Sequence, residues 1–239
     1  MGQKVYSMKT RGEAGSEILE FLKSIPVYSE LSESTVIVLS RACRFQQIKK
    51  GQILFFQSDA SELAYIVRSG TISIVLNSPN GRDMVINEMR AGDTFGELGI
   101  LTKQPRSTSA MARVDSELLV IPCQVFLHII EDEPQLARYL LDITASRLQR
   151  SGEREGALVF MDAQARLARL LLDLDKQEHE KGYITISQDE LAHHTGLIRQ
   201  TVAKALGKWR RDGWLITGRG RIMLLNHKAL TELKNKLLI

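Results

Sequence analysis

The sequence predicts an α+β protein with three parts: an antiparallel β-barrel or jelly roll, one long helix, and a winged helix-turn-helix. Three observations predict it: short apolar runs separated by turn signals, then an unbroken helical pattern, then two helices around a glycine-containing turn with two short strands after them. The predicted segments are a polar tail (1–15), the barrel domain (16–133), the long helix with a hinge (134–161) and the C-terminal domain (162–239).

Composition excludes several classes of protein. The chain has 239 residues, 44% hydrophobic and 25% charged, which is an ordinary globular balance. No apolar stretch approaches the roughly 18–20 residues of a membrane helix, and the polar N-terminus does not resemble a secretory signal. Two cysteines, Cys43 and Cys123, cannot form a disulfide framework. We therefore expect a cytoplasmic location with reduced thiols and no membrane partner.

The charge is distributed unevenly. The net charge is +4, but residues 1–163 hold 18 basic and 20 acidic side chains, whereas residues 164–239 hold 14 basic and 8 acidic ones. Within Arg199–Arg221 there are seven basic residues and one acidic residue, Asp212. An excess of this kind in a small C-terminal unit indicates nucleic acid as a partner, or else a solvated basic face.

The barrel is predicted from five short apolar runs that follow a brief helical opening at Ile18–Leu22. The predicted strands are Ile53–Phe56, Ala64–Val67, Ile72–Leu76, Val85–Ile86 and Leu118–Ile121. Asn80-Gly81, between the third and fourth runs, is a strong hairpin signal because both central positions of such a turn favour positive φ. Many short strands at nearly regular spacing favour a barrel or jelly roll.

The middle of the chain predicts one helix over Pro134–Phe160, with proline suited to a helix start. Two neighbouring heptad lines along it form a coiled-coil-like seam that becomes polar in its second half. These lines are Leu141, Leu148 and Glu155, and Thr144, Ser151 and Leu158. The seam fits either a contact between two copies of the chain or an amphipathic helix packed on its own barrel.

The C-terminal part predicts a helix-turn-helix and a wing. Asp162 is a suitable N-cap for a helix over Ala163–Leu174, and a short strand follows at Tyr183–Ile186. Ser187 and Glu190 form a capping box, which opens a helix over Asp189–His194. A tight turn and a second helix come next, and two short strands around a Gly/Arg tip form the wing. These elements are Thr195-Gly196-Leu197, Arg199–Asp212 closed by Gly213, Trp214–Ile216 and Ile222–Leu225.

One motif between the predicted strands is suited to capturing an anion. Gly96 allows the backbone to approach a ligand, and the N–H groups that open a short helix at Glu97 face a negative group. Arg106 adds a guanidinium suited to bidentate phosphate pairing, and Ser107 adds a hydroxyl donor. Glu97 would repel a phosphate unless it bonds a neutral donor such as a ribose hydroxyl. The alternative is a loop closed by an Arg–Glu salt bridge.

Phe95-Gly96-Glu97-Leu98, followed by Pro105-Arg106-Ser107, resembles the phosphate-binding cassette of cyclic-nucleotide-binding domains. With the long helix, the helix-turn-helix and the wing, the chain from about Ser16 to Ile239 resembles the cyclic AMP receptor protein/FNR family of bacterial transcription regulators. This resemblance implies a homodimer in which each subunit has a cyclic-nucleotide barrel, a dimerisation helix and a winged helix that binds DNA. It implies an effector-gated regulator that responds to cyclic AMP and needs no other cofactor.

The resemblance also implies the ligand contacts. Glu97 would bind the ribose, Arg106 and Ser107 the cyclic phosphate, and Gly96 and Leu98 would form the backbone wall. Ser151 stands where the family has an adenine-contacting threonine. Gly152 follows where the family has a serine supplied by the partner subunit, so this contact is missing and the base preference is open. Ser58-Asp59 replaces a glycine often seen after the early strand, which we interpret as a minor turn change.

The resemblance places DNA contacts on the helix-turn-helix and the wing. Arg199, Gln200 and Lys204 would contact base edges, and the remaining contacts would go to phosphates. The phosphate-contacting residues are Ser187, Gln188, Thr201, Arg219 and Arg221. The expected partner is double-stranded DNA with an inverted repeat, its half-sites about one helical turn apart. The loop Lys176–Gly182 lies where some family members contact RNA polymerase, a further expected partner.

The sequence argues against other activities. Two cysteines exclude an iron–sulfur sensor, and the first histidine is His128, which disfavours a histidine-ligated haem or metal in the barrel. His193 and His194 are adjacent and therefore on different helix faces, so we expect no metal site. There is no Ser/His/Asp set, paired catalytic carboxylates or Walker loop, so we expect no enzyme. The alternatives are a family member regulated by another effector or by none, or a nucleotide-binding module without DNA recognition.

Overall fold

The computed structural model describes residues 11–78, 83–178 and 181–235, and it has the predicted α+β class. Contacts divide the chain into two compact units. The first comprises the residues up to Leu76 together with Asn87–Ala145, and the second comprises Asn77–Ile86 together with the residues from Ser146 onward. The segment boundaries expected from the sequence, at 133/134 and 161/162, stay predictions.

Along the described chain, three helices are followed by six strands, and shorter runs of helices and strands come after them. The helices are α1 (Arg11–Lys23), α2 (Pro26–Ser29), α3 (Glu33–Ala42), α4 (Glu97–Thr102), α5 (Cys123–Asp132), α6 (Pro134–Phe160), α7 (Ala163–Gln177), α8 (Gln188–Thr195), α9 (Arg199–Arg211) and α10 (His227–Lys234). The strands are β1 (Arg44–Ile48), β2 (Ile53–Phe55), β3 (Leu63–Ser69), β4 (Ile72–Leu76), β5 (Met84–Met89), β6 (Thr94–Phe95), β7 (Ser109–Ala112), β8 (Ser116–Pro122), β9 (Ile184–Thr185), β10 (Leu215–Gly218) and β11 (Arg221–Leu224).

Two four-stranded sheets lie in the first unit, except that residues 84–86 of β5 belong to the second unit. Their strand orders are β1-β8-β3-β6 and β2-β7-β4-β5, and the pairs with a described register are antiparallel. Phe55 from one sheet lies against Tyr65 and Phe95 from the other, with ring centroids 5.8 and 6.4 Å away, so the sheets face each other across an aromatic cluster. On the outer side, helices α1–α3, α5 and the start of α6 cover the first sheet with a continuous apolar core.

The predicted strands are present, and β4 and β5 are neighbours as a hairpin requires. The turn at Asn80-Gly81 lies outside the described residues. The strand predicted over Ile53–Phe56 ends one residue earlier, because the N–H of Phe56 bonds to the Asp59 carboxylate instead of continuing the ladder. Seven further elements have no counterpart among the predicted ones, namely α2, α3, α5, α10, β1, β6 and β7.

The long helix α6 spans Pro134–Phe160, as predicted. Leu136 and Leu140 near its start are buried in the core of the first unit. Further along, Leu141 and Leu148 are 70% and 72% exposed in the single chain. Large apolar side chains are usually buried, so two exposed leucines on one heptad line are unusual for a chain that acts alone. The structure therefore leaves these two leucines of the predicted seam uncovered by the described parts of their own chain.

Helices α7–α10 and a three-stranded sheet of order β10-β11-β9 build the C-terminal part of the second unit. Its core centres on Trp209, which is fully buried and stacks on Trp214 at 6.3 Å. The predicted cap at Asp162 is confirmed, since its carboxylate accepts from the Ala165 N–H at 2.7 Å. The predicted helix Asp189–His194 is one residue longer at each end, because Ser187 caps it and Gly196 closes it in the left-handed conformation.

The two cysteines differ in environment, and this gives a first testable expectation. Burial raises the pKa of Cys43 to about 12, whereas Cys123 is partly exposed. At pH 8 the thiolate form of Cys43 is then rare, fewer than about one molecule in a thousand, so we expect iodoacetamide to alkylate Cys123 first. Peptide mass spectrometry over time would measure both sites. Equal labelling rates in the folded protein would contradict the burial of Cys43.

No helix among the described residues is both long enough and apolar enough to span a membrane.

Candidate functional site

The predicted anion-binding motif begins where β6 turns into α4. Gly96, at this corner, has a φ of +78°, a left-handed backbone conformation that residues other than glycine adopt only at a cost in free energy. A Cβ placed there would lie 2.8 Å from Nη1 of Arg106 and 3.1 Å from the Tyr65 ring. Glycine is therefore required for two reasons: the turn needs its conformation, and Arg106 needs the space.

Arg106 is the centre of the cassette, and it is 6% exposed. Its guanidinium donates from Nη1 to the carbonyl oxygen of Gly96 at 2.6 Å and from Nη2 to that of Leu63 at 2.5 Å. Its Cζ lies 4.2 Å from the centroid of the Phe55 ring, a cation–π distance. Desolvation lowers the pKa of Arg106, and the neighbouring Tyr65, Glu97 and Asp59 oppose that change. A positive charge is thus held under the surface and bonded to the neutral carbonyls of Gly96 and Leu63.

The other predicted cassette residues surround this guanidinium. Glu97, the first residue of α4, is 5% exposed and close enough to Arg106 to raise the pKa of that group. Leu98 is exposed, as is Ser107, which follows Arg106 directly in the chain. The structure thus brings a buried cation and a buried carboxylate together beside an exposed hydroxyl and an exposed apolar side chain.

A turn that the sequence analysis treated as minor fixes the backbone of Arg106. The N–H of Ser58 donates to the carbonyl of Arg106, and the N–H of Arg106 donates to the carbonyl of Asp59, each at 2.8 Å. Ser58 has a φ of +74°, which favours glycine. A serine at a position where the family often has glycine is the sequence signal for this strain. The change is therefore not minor, because the same turn holds the backbone of Arg106.

Replacing Ser58 with glycine should therefore stabilise the protein. Relief of the left-handed conformation is worth about 1–2 kcal/mol, reduced by the greater freedom of glycine in the unfolded chain, so we expect a net gain of about 1 kcal/mol. Urea unfolding without ligand measures it. Ser107→Gly is the matched control, because Ser107 is an exposed serine with an ordinary negative φ. If the free energy of unfolding of Ser58→Gly is no higher than that of the control, the backbone at Ser58 is not strained.

The predicted elements of the helix-turn-helix are present, and α9 ends at Arg211, one residue before its predicted end at Asp212. Ser187 and Glu190 form the reciprocal capping box of α8, with N–H to side-chain distances of 3.1 and 2.7 Å. Gly196 ends α8 in the left-handed conformation, and α9 begins three residues later. The apolar face of α9 packs into the domain core through Val202 and Trp209. This packing fixes which side of α9 points outward.

The outward side of α9 carries the predicted base-contacting residues. Arg199, Gln200 and Lys204 are all exposed, whereas Thr201 is partly buried. Nη1 of Arg199 lies 3.2 Å from Oδ2 of Asp189, a residue of α8. The second helix therefore presents two basic side chains and an amide to solvent, and one of the basic side chains is already ion-paired.

The wing is a hairpin of β10 and β11 with Arg219 at its tip. Its tip is bonded to the residue that follows β9, since the N–H of Ile186 donates to the carbonyl of Gly220 at 3.1 Å. Arg219 and Arg221 are exposed, and Cζ of Arg221 lies 4.7 Å from the centroid of the Tyr183 ring. The hairpin therefore holds two further cations at the surface of the same domain.

Among the described residues, no group of three or more histidine, cysteine, aspartate or glutamate side chains is arranged to hold a metal ion.

Two family models match the chain at these sites. The model of the cyclic nucleotide-binding domain matches residues 45–133, and the model of the Crp-like helix-turn-helix domain matches residues 165–233. Together they cover about two thirds of the chain, in the order expected for one kind of regulator. The chain belongs to the Crp/Fnr family of transcription regulators.

Several transcription regulators of this family match the chain over most of their own length. A "CRP-like cAMP-activated global transcriptional regulator" of Mycobacterium tuberculosis is 28% identical over 202 residues, covering 82% of this chain and 90% of that protein. The "cAMP-activated global transcriptional regulator CRP" of Salmonella typhimurium is 29% identical, covering 77% and 90%. The structure of a c-di-GMP responsive regulator, CLP of Xanthomonas campestris, shares the fold at 23% identity, with a TM-score of 0.74 and coverage of 81% and 99%.

The Crp/Fnr assignment confirms the coarse functional prediction. The chain is a DNA-binding transcription regulator with a cyclic nucleotide-binding domain, and its relatives are regulators, not enzymes.

The predicted ligand residues of this Crp/Fnr chain fall into two groups. Gly96, Glu97 and Arg106 meet in the first unit. Ser151 belongs to the second unit, where it is partly buried and its hydroxyl donates to Glu155 at 3.3 Å. Gly152 beside it is exposed. An adenine contact by Ser151 stays a prediction.

Proposed function

We propose that this Crp/Fnr-family regulator responds to cyclic AMP, which binds at the cassette as its effector without any further cofactor. The observation that carries the proposal is the buried Arg106 guanidinium with the buried Glu97 carboxylate beside it, both positioned by the Gly96 corner. A nucleotide with a cyclic phosphate and a free ribose hydroxyl offers one anionic group and one neutral donor. Those are the groups that a cation and a carboxylate at one site can bind together.

Arg106 is suited to bind the phosphate because its present partners are weaker acceptors. Its hydrogen bonds to Gly96 and Leu63 go to neutral carbonyls, whereas a charged oxygen makes hydrogen bonds about twice as strong. The exposed hydroxyl of Ser107 supplies a second donor. We propose that an incoming phosphate accepts a hydrogen bond from the guanidinium in place of the carbonyl of Gly96 or Leu63.

Glu97 argues for a nucleotide over a free phosphate. A buried carboxylate close to the anion site repels an anion that brings no donor, and a ribose 2′-hydroxyl supplies that donor. Two relatives named cAMP-activated support cyclic AMP among the nucleotides. Leu98 would lie along the ligand as part of the wall.

Isothermal titration with cyclic AMP, cyclic GMP and c-di-GMP tests the effector. We expect saturable binding with cyclic AMP the tightest. A different effector is the second candidate, favoured by Gly152, which has no side chain where the family has a serine. If another nucleotide binds more tightly than cyclic AMP, that nucleotide is the effector. If no cyclic nucleotide binds, the proposal that the effector is a nucleotide is wrong.

We further propose a homodimer through α6, with a hinge near residues 160–162, acting in the cytoplasm where its DNA lies. The exposed Leu141 and Leu148 support the dimer, because a second copy would bury both. RNA polymerase is a further proposed partner. The loop Lys176–Gly182 proposed for it includes residues 179 and 180, which lie outside the described residues.

The dimer would bind double-stranded DNA with an inverted repeat, each α9 in a major groove. Arg199 and Lys204 favour guanine, and Gln200 favours adenine, where the family usually has glutamate. The exposure of these three side chains supports this assignment. The proposed phosphate contacts are Ser187, Gln188, Thr201, Arg219 and Arg221.

Two substitutions should separate base recognition from phosphate contact. Arg199→Ala should cost about 1–3 kcal/mol on the preferred site and remove discrimination at one base pair of each half-site. Arg221→Ala should weaken binding to all sequences alike and lower the salt dependence by about one unit of slope. Anisotropy titrations over a salt series, on the preferred and singly mismatched sites, measure both. An unchanged preference in Arg199→Ala would overturn the assignment of Arg199.

A further inference from the structure

We propose that Asp189 is a positioning residue for Arg199 and thereby sets how strictly the regulator selects its DNA site. The inference rests on the proposed function of α9 in contacting bases. It names a residue of the other helix, α8, and gives a role to an acidic side chain in the most basic part of the chain.

The capping of α8 does not involve the Asp189 side chain. Ser187 and Glu190 close the capping box between themselves, and each bonds the backbone N–H of the other. The carboxylate of Asp189, the second residue of α8, instead points to Arg199, with Oδ2 3.2 Å from Nη1. This pair links the first turn of α8 to the first turn of α9.

The guanidinium has enough donors for two partners at once. It carries five N–H donors in a planar fork, and one edge suffices for a bidentate pair with guanine O6 and N7. If the Nη1 side is held by Asp189, the rotation of the fork is restricted and the other edge is presented for the base. A guanidinium so oriented pairs well with guanine and poorly with a base that offers a different pattern.

In the free protein this ion pair is weak. The two side chains are 67% and 54% exposed, and exposed pairs contribute little to stability. When DNA covers the helix and excludes water, the same pair gains strength, because the local dielectric falls. The positioning effect should therefore appear in DNA selectivity and hardly at all in thermal stability.

A carboxylate beside DNA also has a cost. Asp189 is next to Gln188, a proposed phosphate contact, so its negative charge repels the DNA backbone whatever the sequence. Removing this charge should increase affinity for all DNA while decreasing discrimination at the base pair that Arg199 contacts. A change of charge alone would increase affinity without altering the preference.

The experiment measures Asp189→Asn in the full chain with saturating cyclic AMP. Anisotropy titrations use the preferred site, the site mismatched at the base pair assigned by Arg199→Ala, and random DNA. We expect binding to random DNA to tighten roughly twofold to threefold, and discrimination at that base pair to fall roughly threefold to tenfold. Asp189→Glu, which keeps the charge, should retain most of the discrimination.

Asp212→Asn is the matched control, because it removes the same charge from an exposed residue at the opposite end of α9. The control should bind random DNA more tightly with unchanged discrimination. In an Arg199→Ala background, Asp189→Asn should no longer alter discrimination, since the positioned group is absent. Melting temperatures of all variants should agree within a few degrees.

Two results overturn the inference and are distinguishable from each other. If the wild type discriminates and Asp189→Asn keeps or increases that discrimination, like Asp212→Asn, the role of Asp189 is wrong while the DNA-binding proposal stands. If the wild type itself shows no base preference, both the base-contacting role of α9 and the inference fail together.

Discussion

Arg106→Ala should reduce cyclic AMP binding by a factor of about a hundred or more. Truncating one partner of a buried charge pair costs about 2–5 kcal/mol, and here the remaining partner would be a phosphate beside the Glu97 carboxylate. The structure adds a second reason: without the guanidinium, the carbonyls of Gly96 and Leu63 lose the donors that hold the corner of the cassette. Isothermal titration measures the loss.

Two variants control for this result. Arg106→Lys keeps the charge without the fork, so it should retain part of the binding. Arg90→Ala removes the same charge from an exposed side chain and should leave the affinity unchanged. Urea unfolding shows whether Arg106→Ala remains folded. A folded Arg106→Ala that binds cyclic AMP as the wild type does would remove the cassette from the ligand site.

Leu148→Glu should convert the dimer to a monomer and abolish tight binding to inverted repeats. Leu148 is 72% exposed in one chain, so the substitution costs little within the subunit. In a dimer seam it would place two carboxylates in an apolar contact, where each is desolvated without a partner. Affinity for a two-half-site DNA then falls toward that of one half-site, because the linkage between the two contacts is lost.

Light scattering at micromolar concentration tests the dimer directly. The wild type should have twice the 26.9 kDa of one chain, and Leu148→Glu should have the single mass. Gln149→Glu is the control, since it adds the same charge to an exposed position beside the seam. A monomeric wild type, or a dimer that persists in Leu148→Glu, would exclude this seam.

Much of the architecture follows from local patterns in the sequence. The helix α6 has an unbroken periodicity and a proline at its start, and α8 has a capping box, so both were predicted nearly to the residue. Strand β6 has two residues and β7 consists of serine, alanine and methionine, so neither has an alternating pattern to detect. Helix α5 follows β8 directly at Pro122, and no glycine separates its apolar residues from those of the strand.

The candidate site was predictable in its residue types and not in its geometry. The spacing of Glu97 and Arg106 within one motif indicated a cation and a carboxylate for one ligand. The carbonyl of Leu63, which accepts a hydrogen bond from Arg106, lies 43 residues away in the chain, on strand β3. Pairings of this length depend on the sheet register, which a local pattern does not determine. The strain at Ser58 is likewise visible only once the turn against Arg106 is known.

A cyclic nucleotide bound at the cassette should control DNA binding by the helix-turn-helix. Fluorescence anisotropy of an inverted-repeat site, titrated with the protein at zero and at saturating cyclic AMP, tests it most directly. Coupling between two sites of a protein typically amounts to about 1–3 kcal/mol, so we expect cyclic AMP to tighten DNA binding by about 5-fold to 150-fold, and to have no effect on Arg106→Ala. Equal affinity with and without cyclic AMP, under conditions where titration shows the nucleotide bound, would contradict the claim.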